Sequence, residues 1–116
     1  MKILLIEDNP DDASYIQKMS PGNTFIHCAD LKSALEYLNM KPEDLNLIVM
    51  DLGLPDSQGE QTLDSVLACT EAPIIILADY ISDEITAKAI KAGKPILEKD
   101  ILNPQLFNYV LKGMFG

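Results

Sequence analysis

The chain contains no arginine and no tryptophan, a single histidine and only two cysteines among its 116 residues. All nine basic residues are therefore lysine, and they face 18 acids, leaving a net charge of −9. Nucleic-acid binding rests on basic patches and usually on arginine for base readout, so nucleic acid is not an expected partner of this domain. An acidic surface instead favours a basic protein face or a metal cation. Cys28 and Cys69 are too few for a disulfide framework and wrongly spaced for zinc; both read as small buried hydrophobes. No apolar run approaches the ~18–20 residues of a membrane helix. The opening MKILLIEDNP meets two acids too early for a secretory leader, so no membrane partner and a cytoplasmic location are expected.

What is present is apolar sequence in short, regular packets. Residues 1–116 fit one domain, and 47% of them are hydrophobic, too many for a disordered chain. Strand signals alternate with helix signals five times. Ile3–Ile6, Thr24–Cys28, Leu47–Met50, Ile74–Leu77 and Pro95–Glu98 read as strands, the last an edge strand because of its proline. Asn9-Pro10 and Asn103-Pro104 are cap-plus-proline helix starts, Asp30 caps another helix, and Gly93 ends a fourth. Leu31, Ala34, Leu35 and Leu38 share one helical face, as do Leu63, Val66 and Leu67. Ile85, Ala89 and Ile90 are expected to face inward, with Leu106, Phe107, Val110 and Leu111 doing so in the last helix. This pattern is α/β, (βα)₅, with a parallel sheet and helices on both faces. No glycine-rich loop follows the first strand, which disfavours a dinucleotide site.

Two of the buried strands end on acids. Glu7-Asp8 follows the first and Asp51 ends the third, and ligands in such sheets bind at the carboxyl ends of strands. If those strands are neighbours, the three carboxylates converge and repel one another unless a cation intervenes. Mg²⁺, which takes oxygen ligands and keeps several waters, suits such a set. A carboxylate beside it can act as a nucleophile toward a phosphoryl group, and Lys99, at the end of the fifth strand, can stabilise the transferring charge.

The segments LLIEDNPDD, LIVMDLGLPDSQG, Pro73–Leu77 and AGKPILEKD resemble, end to end, the receiver domain of two-component response regulators. Within the second segment, Asp51 with Pro55 and Gly59 behind it matches the family's phosphoacceptor signature. The resemblance implies a flavodoxin-like three-layer sandwich with strand order 2-1-3-4-5. It also implies that Asp51 accepts phosphate from a phosphohistidine on a sensor histidine kinase or histidine phosphotransfer protein. It further implies that Asp8 ligates Mg²⁺ directly, Glu7 through water and Gly53 through its carbonyl, with Lys99 contacting the phosphoryl group. A homodimer through the face made by the fourth helix, fifth strand and fifth helix is a further expectation; Phe107, Tyr109 and Phe115 lie in that last helix, with at least one of them in the core.

The sequence departs from the family at its switch positions. Ala78 stands where a Thr or Ser hydroxyl is usual, and Ile96 where an aromatic is usual. Tyr80 and Ser82 are the nearest substitutes, and Asp79 adds a carboxylate at the mouth of the site. Phosphorylation shifts an equilibrium only through contacts that differ between states, so weakened or rerouted coupling is expected. The alternative is a pseudo-receiver that binds partners without phosphorylation. A phosphatase of the haloacid dehalogenase type is weaker, because its nucleophile lies in a DxDx motif on the first strand, where this chain has Glu7-Asp8-Asn9-Pro10. His27, on the second strand, and the lysines Lys88, Lys91 and Lys94 are expected to be surface residues without a site role.

Overall fold

Strands with no polar interruption must be covered on both sides, and the fold is built around that requirement. The computed structural model describes residues 1–116. Its main strands are β1 (Lys2–Ile6), β2 (Thr24–Cys28), β3 (Leu47–Asp51), β4 (Ile74–Ala78) and β5 (Ile96–Glu98). They alternate with helices α1 (Pro10–Met19), α2 (Leu31–Asn39), α3 (Gly59–Leu67), α4 (Asp83–Ala92) and α5 (Pro104–Phe115). The sheet is parallel throughout, in the order 2-1-3-4-5. This is the flavodoxin-like α/β sandwich expected from the sequence.

Alternation along each strand divides the interior into two cores. Leu4, Ile6, Ile48, Met50, Ile74 and Ile76 face α2, α3 and α4, meeting Leu38, Leu63, Val66 and Ala89. Ile3, Leu5, Leu47, Val49, Ile75 and Leu77 face α1 and α5, meeting Ile16, Met19, Phe107 and Leu111. The expected caps form: Asn9 accepts from the amides of Asp11 and Asp12, Asp30 from that of Ser33, and Asn103 from that of Leu106. Gly93 ends α4 in the left-handed region at φ 71°, which glycine enters without steric cost.

Five local features differ from expectation. β3 and β4 each run one residue further, so Asp51 and Ala78 are strand residues. Gly53–Leu54 and Ser57–Gln58 pair as a two-residue antiparallel hairpin between β3 and α3, too short to carry a periodic signal. Lys99–Ile101 forms a turn of 3₁₀ helix after β5, which itself starts at Ile96. Ile90, expected inward, is 73% exposed; Ala89 takes the core position on α4, and Ile90 lies one step round the helix. Cys28 is buried as expected, whereas Cys69 is half-buried; both are free thiols.

Candidate functional site

Register brings the acids together. Leu5 pairs with Val49 and Ile6 with Met50 across β1 and β3, so Glu7 and Asp51 leave the sheet side by side, on the α1/α5 face. Glu7 is wholly buried and Asp51 is 3% exposed, while Asp8 is exposed. Oxygens of Glu7, Asp8 and Asp51 lie within 4.8 Å of one another. Lys99 enters from the 3₁₀ turn just after β5, with Nζ 2.6 Å from Glu7 Oε1, 2.9 Å from Asp12 Oδ2 and 3.1 Å from Asp51 Oδ2. The other Asp51 oxygen accepts from the Gly53 amide at 3.1 Å.

The electrostatics follow from burial. Loss of water, reinforced by Asp51, pushes the Glu7 carboxyl up to about 8, although Lys99 pulls the other way. Burial opposes the charge on Lys99, but Asp12, Glu7 and Asp51 outweigh it and hold the ammonium above its ordinary value. Lys99 is close enough to Glu7 for an ion pair, yet neither Glu7 oxygen receives a donor in hydrogen-bonding geometry. Buried carboxylate oxygens without a directed donor are costly, and a cation is the simplest way to satisfy them.

Asp51 has a second side. Toward α3 and α4 it borders a cavity of about 200 Å³ that Gly53, Gln58, Ala78, Asp79 and Tyr80 help to line. Ala78 is buried there and brings no hydroxyl. Ser82 does not replace it, because its Oγ caps α4 by accepting from the Ile85 amide at 3.1 Å. Tyr80 is 79% exposed at the mouth, and Asp79 is exposed beside it. Ile96 is half-buried and packs against the α2/α3/α4 core.

The family model for the response regulator receiver domain matches residues 3–111. This chain belongs to that family. The transcriptional regulatory protein CitT of Halalkalibacterium halodurans is 28% identical over 127 residues, covering 99% of this chain and 55% of that protein. HprR of Escherichia coli, also a transcriptional regulatory protein, is 35% identical over 89 residues, covering 73% of this chain and 39% of that protein. The crystal structure of a CheY-like receiver domain protein from Methanospirillum hungatei superposes with a TM-score of 0.81 at 21% identity, covering 97% of this chain and 91% of that one. This receiver domain spans between 18% and 55% of the length of eight curated relatives that it matches.

The structure adds receiver residues that the sequence reading passed over. Asp12, in the first turn of α1, reaches Lys99. A helix starting at Pro10 places its first turn near the strand ends that carry Glu7 and Asp51, but the contact with Lys99 itself depends on packing. His27, expected to be a surface residue without a site role, is exposed, and its Nε2 lies 2.7 Å from the Glu7 backbone carbonyl oxygen. That carbonyl must accept, so Nε2 carries the proton. Asp56 accepts from the amides of Leu31 and Lys32 at 2.8 and 2.9 Å, tying the loop after Asp51 to the start of α2. Lys88 pairs with Asp64 at 2.7 Å across α4 and α3, a surface role as expected. Phe107 is the core aromatic of α5, while Tyr109 is 78% exposed and Phe115 44% exposed.

Proposed function

We propose that this receiver accepts a phosphoryl group on Asp51 from a phosphohistidine of a sensor histidine kinase or histidine phosphotransfer protein, with Mg²⁺ as cofactor. It then acts as a cytoplasmic interaction switch and not as an enzyme with a separate substrate. The observation that carries the reading is the juxtaposition of Asp51 with one ammonium and two further carboxylates at the carboxyl end of the sheet.

An Asp51 oxygen attacks phosphorus, an O–P bond forms, and the P–N bond to imidazole breaks with its electron pair returning to nitrogen. Asp51 suits this task because it is nearly buried, its Oδ1 is fixed by the Gly53 amide, and the strand beneath it is paired on both edges. Lys99 offsets charge on the transferring oxygens. The all-oxygen donor set and the undirected Glu7 oxygens fit Mg²⁺: Asp8, Asp51 and the Gly53 carbonyl would hold it, with Glu7 acting through water. When bound, the cation neutralises the carboxylates and the phosphoryl oxygens.

The reporting half of the switch is reduced. With Ala78 and Ile96 at the switch positions, the phosphoryl group gains fewer contacts that differ between states. Coupling to the α4–β5–α5 face is therefore weakened or routed elsewhere. That face exposes Ile90 and Tyr109, apolar surface suited to a homodimer. The second reading, a pseudo-receiver, is favoured by the exposed Asp79 carboxylate beside a cavity to which Ala78 brings no hydroxyl.

Incubation with acetyl phosphate and Mg²⁺ followed by intact mass measurement tests the proposal. A species heavier by one phosphoryl group, absent in Asp51→Asn, is the expected result. No adduct with acetyl phosphate or with a phosphorylated phosphotransfer protein favours the pseudo-receiver.

A further inference from the structure

Lys99 is more heavily engaged than the proposed chemistry needs. An ammonium has three N–H donors, and three carboxylates stand within 3.1 Å of this one: Glu7, Asp12 and Asp51. Only Asp51 takes its donor in hydrogen-bond geometry, while Glu7 and Asp12 hold the ammonium as ion-pair partners, so a phosphoryl oxygen must compete with carboxylates already gathered round it. Glu7 and Asp51 belong to the strand ends, where their oxygens serve the cation and the incoming group. Asp12 belongs to neither. It sits in the first turn of α1, where the helix N-terminus favours its charge, and its own amide is held by Asn9 Oδ1 at 3.1 Å. Its side chain is 43% exposed, against 12% for that of Lys99, so it approaches the ammonium from the solvent side, where a phosphoryl donor must also arrive.

We propose that Asp12 is a positioning residue that restrains Lys99 and slows phosphoryl uptake by Asp51, competing with the phosphoryl oxygens for the ammonium. The inference rests on the reading of Asp51 as phosphoacceptor. It separates two effects of acidity in this protein: Glu7, Asp8 and Asp51 attract the cation, whereas Asp12 occupies the cationic side chain.

The test compares wild type, Asp12→Asn, Asp12→Glu and Asp11→Asn, each as the full chain with acetyl phosphate and Mg²⁺, followed by intact mass over time. A partly exposed ion pair predicts uptake about fivefold faster in Asp12→Asn. Asp12→Glu restores the carboxylate and returns the rate toward wild type. Asp11→Asn removes the same charge from an exposed neighbour and leaves the rate unchanged, which separates pairing with Lys99 from net charge. A second readout needs no phosphoryl group: the NMR signals of the Lys99 ε-methylene in Mg²⁺-free protein shift in Asp12→Asn and stay in place in Asp11→Asn. An adduct that forms no faster in Asp12→Asn than in wild type, or that forms as fast in Asp11→Asn as in Asp12→Asn, overturns the inference alone. No adduct in any of the four overturns the phosphoacceptor reading and this inference with it.

Discussion

At Asp51 the two faces of one strand residue have different chemistry. On the α1/α5 side it meets Lys99, beside Glu7 and Asp12; on the α3/α4 side it meets a cavity of about 200 Å³ walled in part by Ala78. In the proposed function the first side receives a phosphoryl group, and on the second Ala78 offers no hydroxyl to respond to one. Replacing Ala78 by threonine places a donor in that cavity. Because Ala78 is 4% exposed, the hydroxyl costs stability when it has no partner, about 1 kcal/mol. It gains a partner once Asp51 carries a phosphoryl mimic. With beryllofluoride and Mg²⁺, NMR shifts across residues 82–112 are expected to be larger and more numerous in Ala78→Thr than in wild type. Equal shifts in the two proteins place the coupling on another route. The sequence displayed this deficiency directly, because a missing hydroxyl is a property of one residue at one strand end. It did not display Asp12 on Lys99 or His27 on the Glu7 carbonyl, because each contact joins elements whose separation depends on packing.

Among the elements, β1, β3 and β4 were legible because both faces are buried and their apolar runs have no other use, and β2 because its β-branched and aromatic residues alternate. Helix starts were legible because Asn9, Asp30 and Asn103 act within three residues of themselves. The hairpin of Gly53–Leu54 with Ser57–Gln58 was not, since its form is set by what the loop touches. Thr62 Oγ1, fully buried, donates within this loop and holds the Leu52 carbonyl at 3.1 Å. Gly59 permits the return into α3 at φ 53°, and Asp56 fastens the loop to α2. Asp56 matters because α2 then has two carboxylate caps: Asp30 on Ser33, and Asp56 on Leu31 and Lys32. Asp56→Ala leaves the Asp30 cap in place and frees two amides. The expected loss is about 1–2 kcal/mol in urea unfolding, with an unchanged m-value. A loss of less than a few tenths means that water serves these amides equally well.

The molecule as a whole carries a conflict between stability and its proposed cofactor, concentrated in Glu7. Its net charge of −9 is spread over the surface, but this carboxyl is buried at the centre of the site and is raised from 4.5 to about 8. Between those values the folded, metal-free chain holds a proton that the unfolded chain has lost. Stability from this group is therefore greatest below the lower value and falls as pH rises through the window. Mg²⁺ prefers the ionised form, so its affinity rises over the same window. Its stabilisation grows with the ratio of free ion to dissociation constant, about 2.7 kcal/mol at a hundredfold ratio. The two trends have opposite signs and one origin. In thermal unfolding with EDTA, wild type loses stability between about pH 5 and pH 8 relative to Glu7→Gln, which has no proton to lose there. With Mg²⁺ in excess the difference shrinks or reverses, because only wild type gains the ionised ligand. Parallel pH profiles for the two proteins in EDTA mean that Glu7 is already ionised in the metal-free site, and that its pairing with Lys99 outweighs its burial.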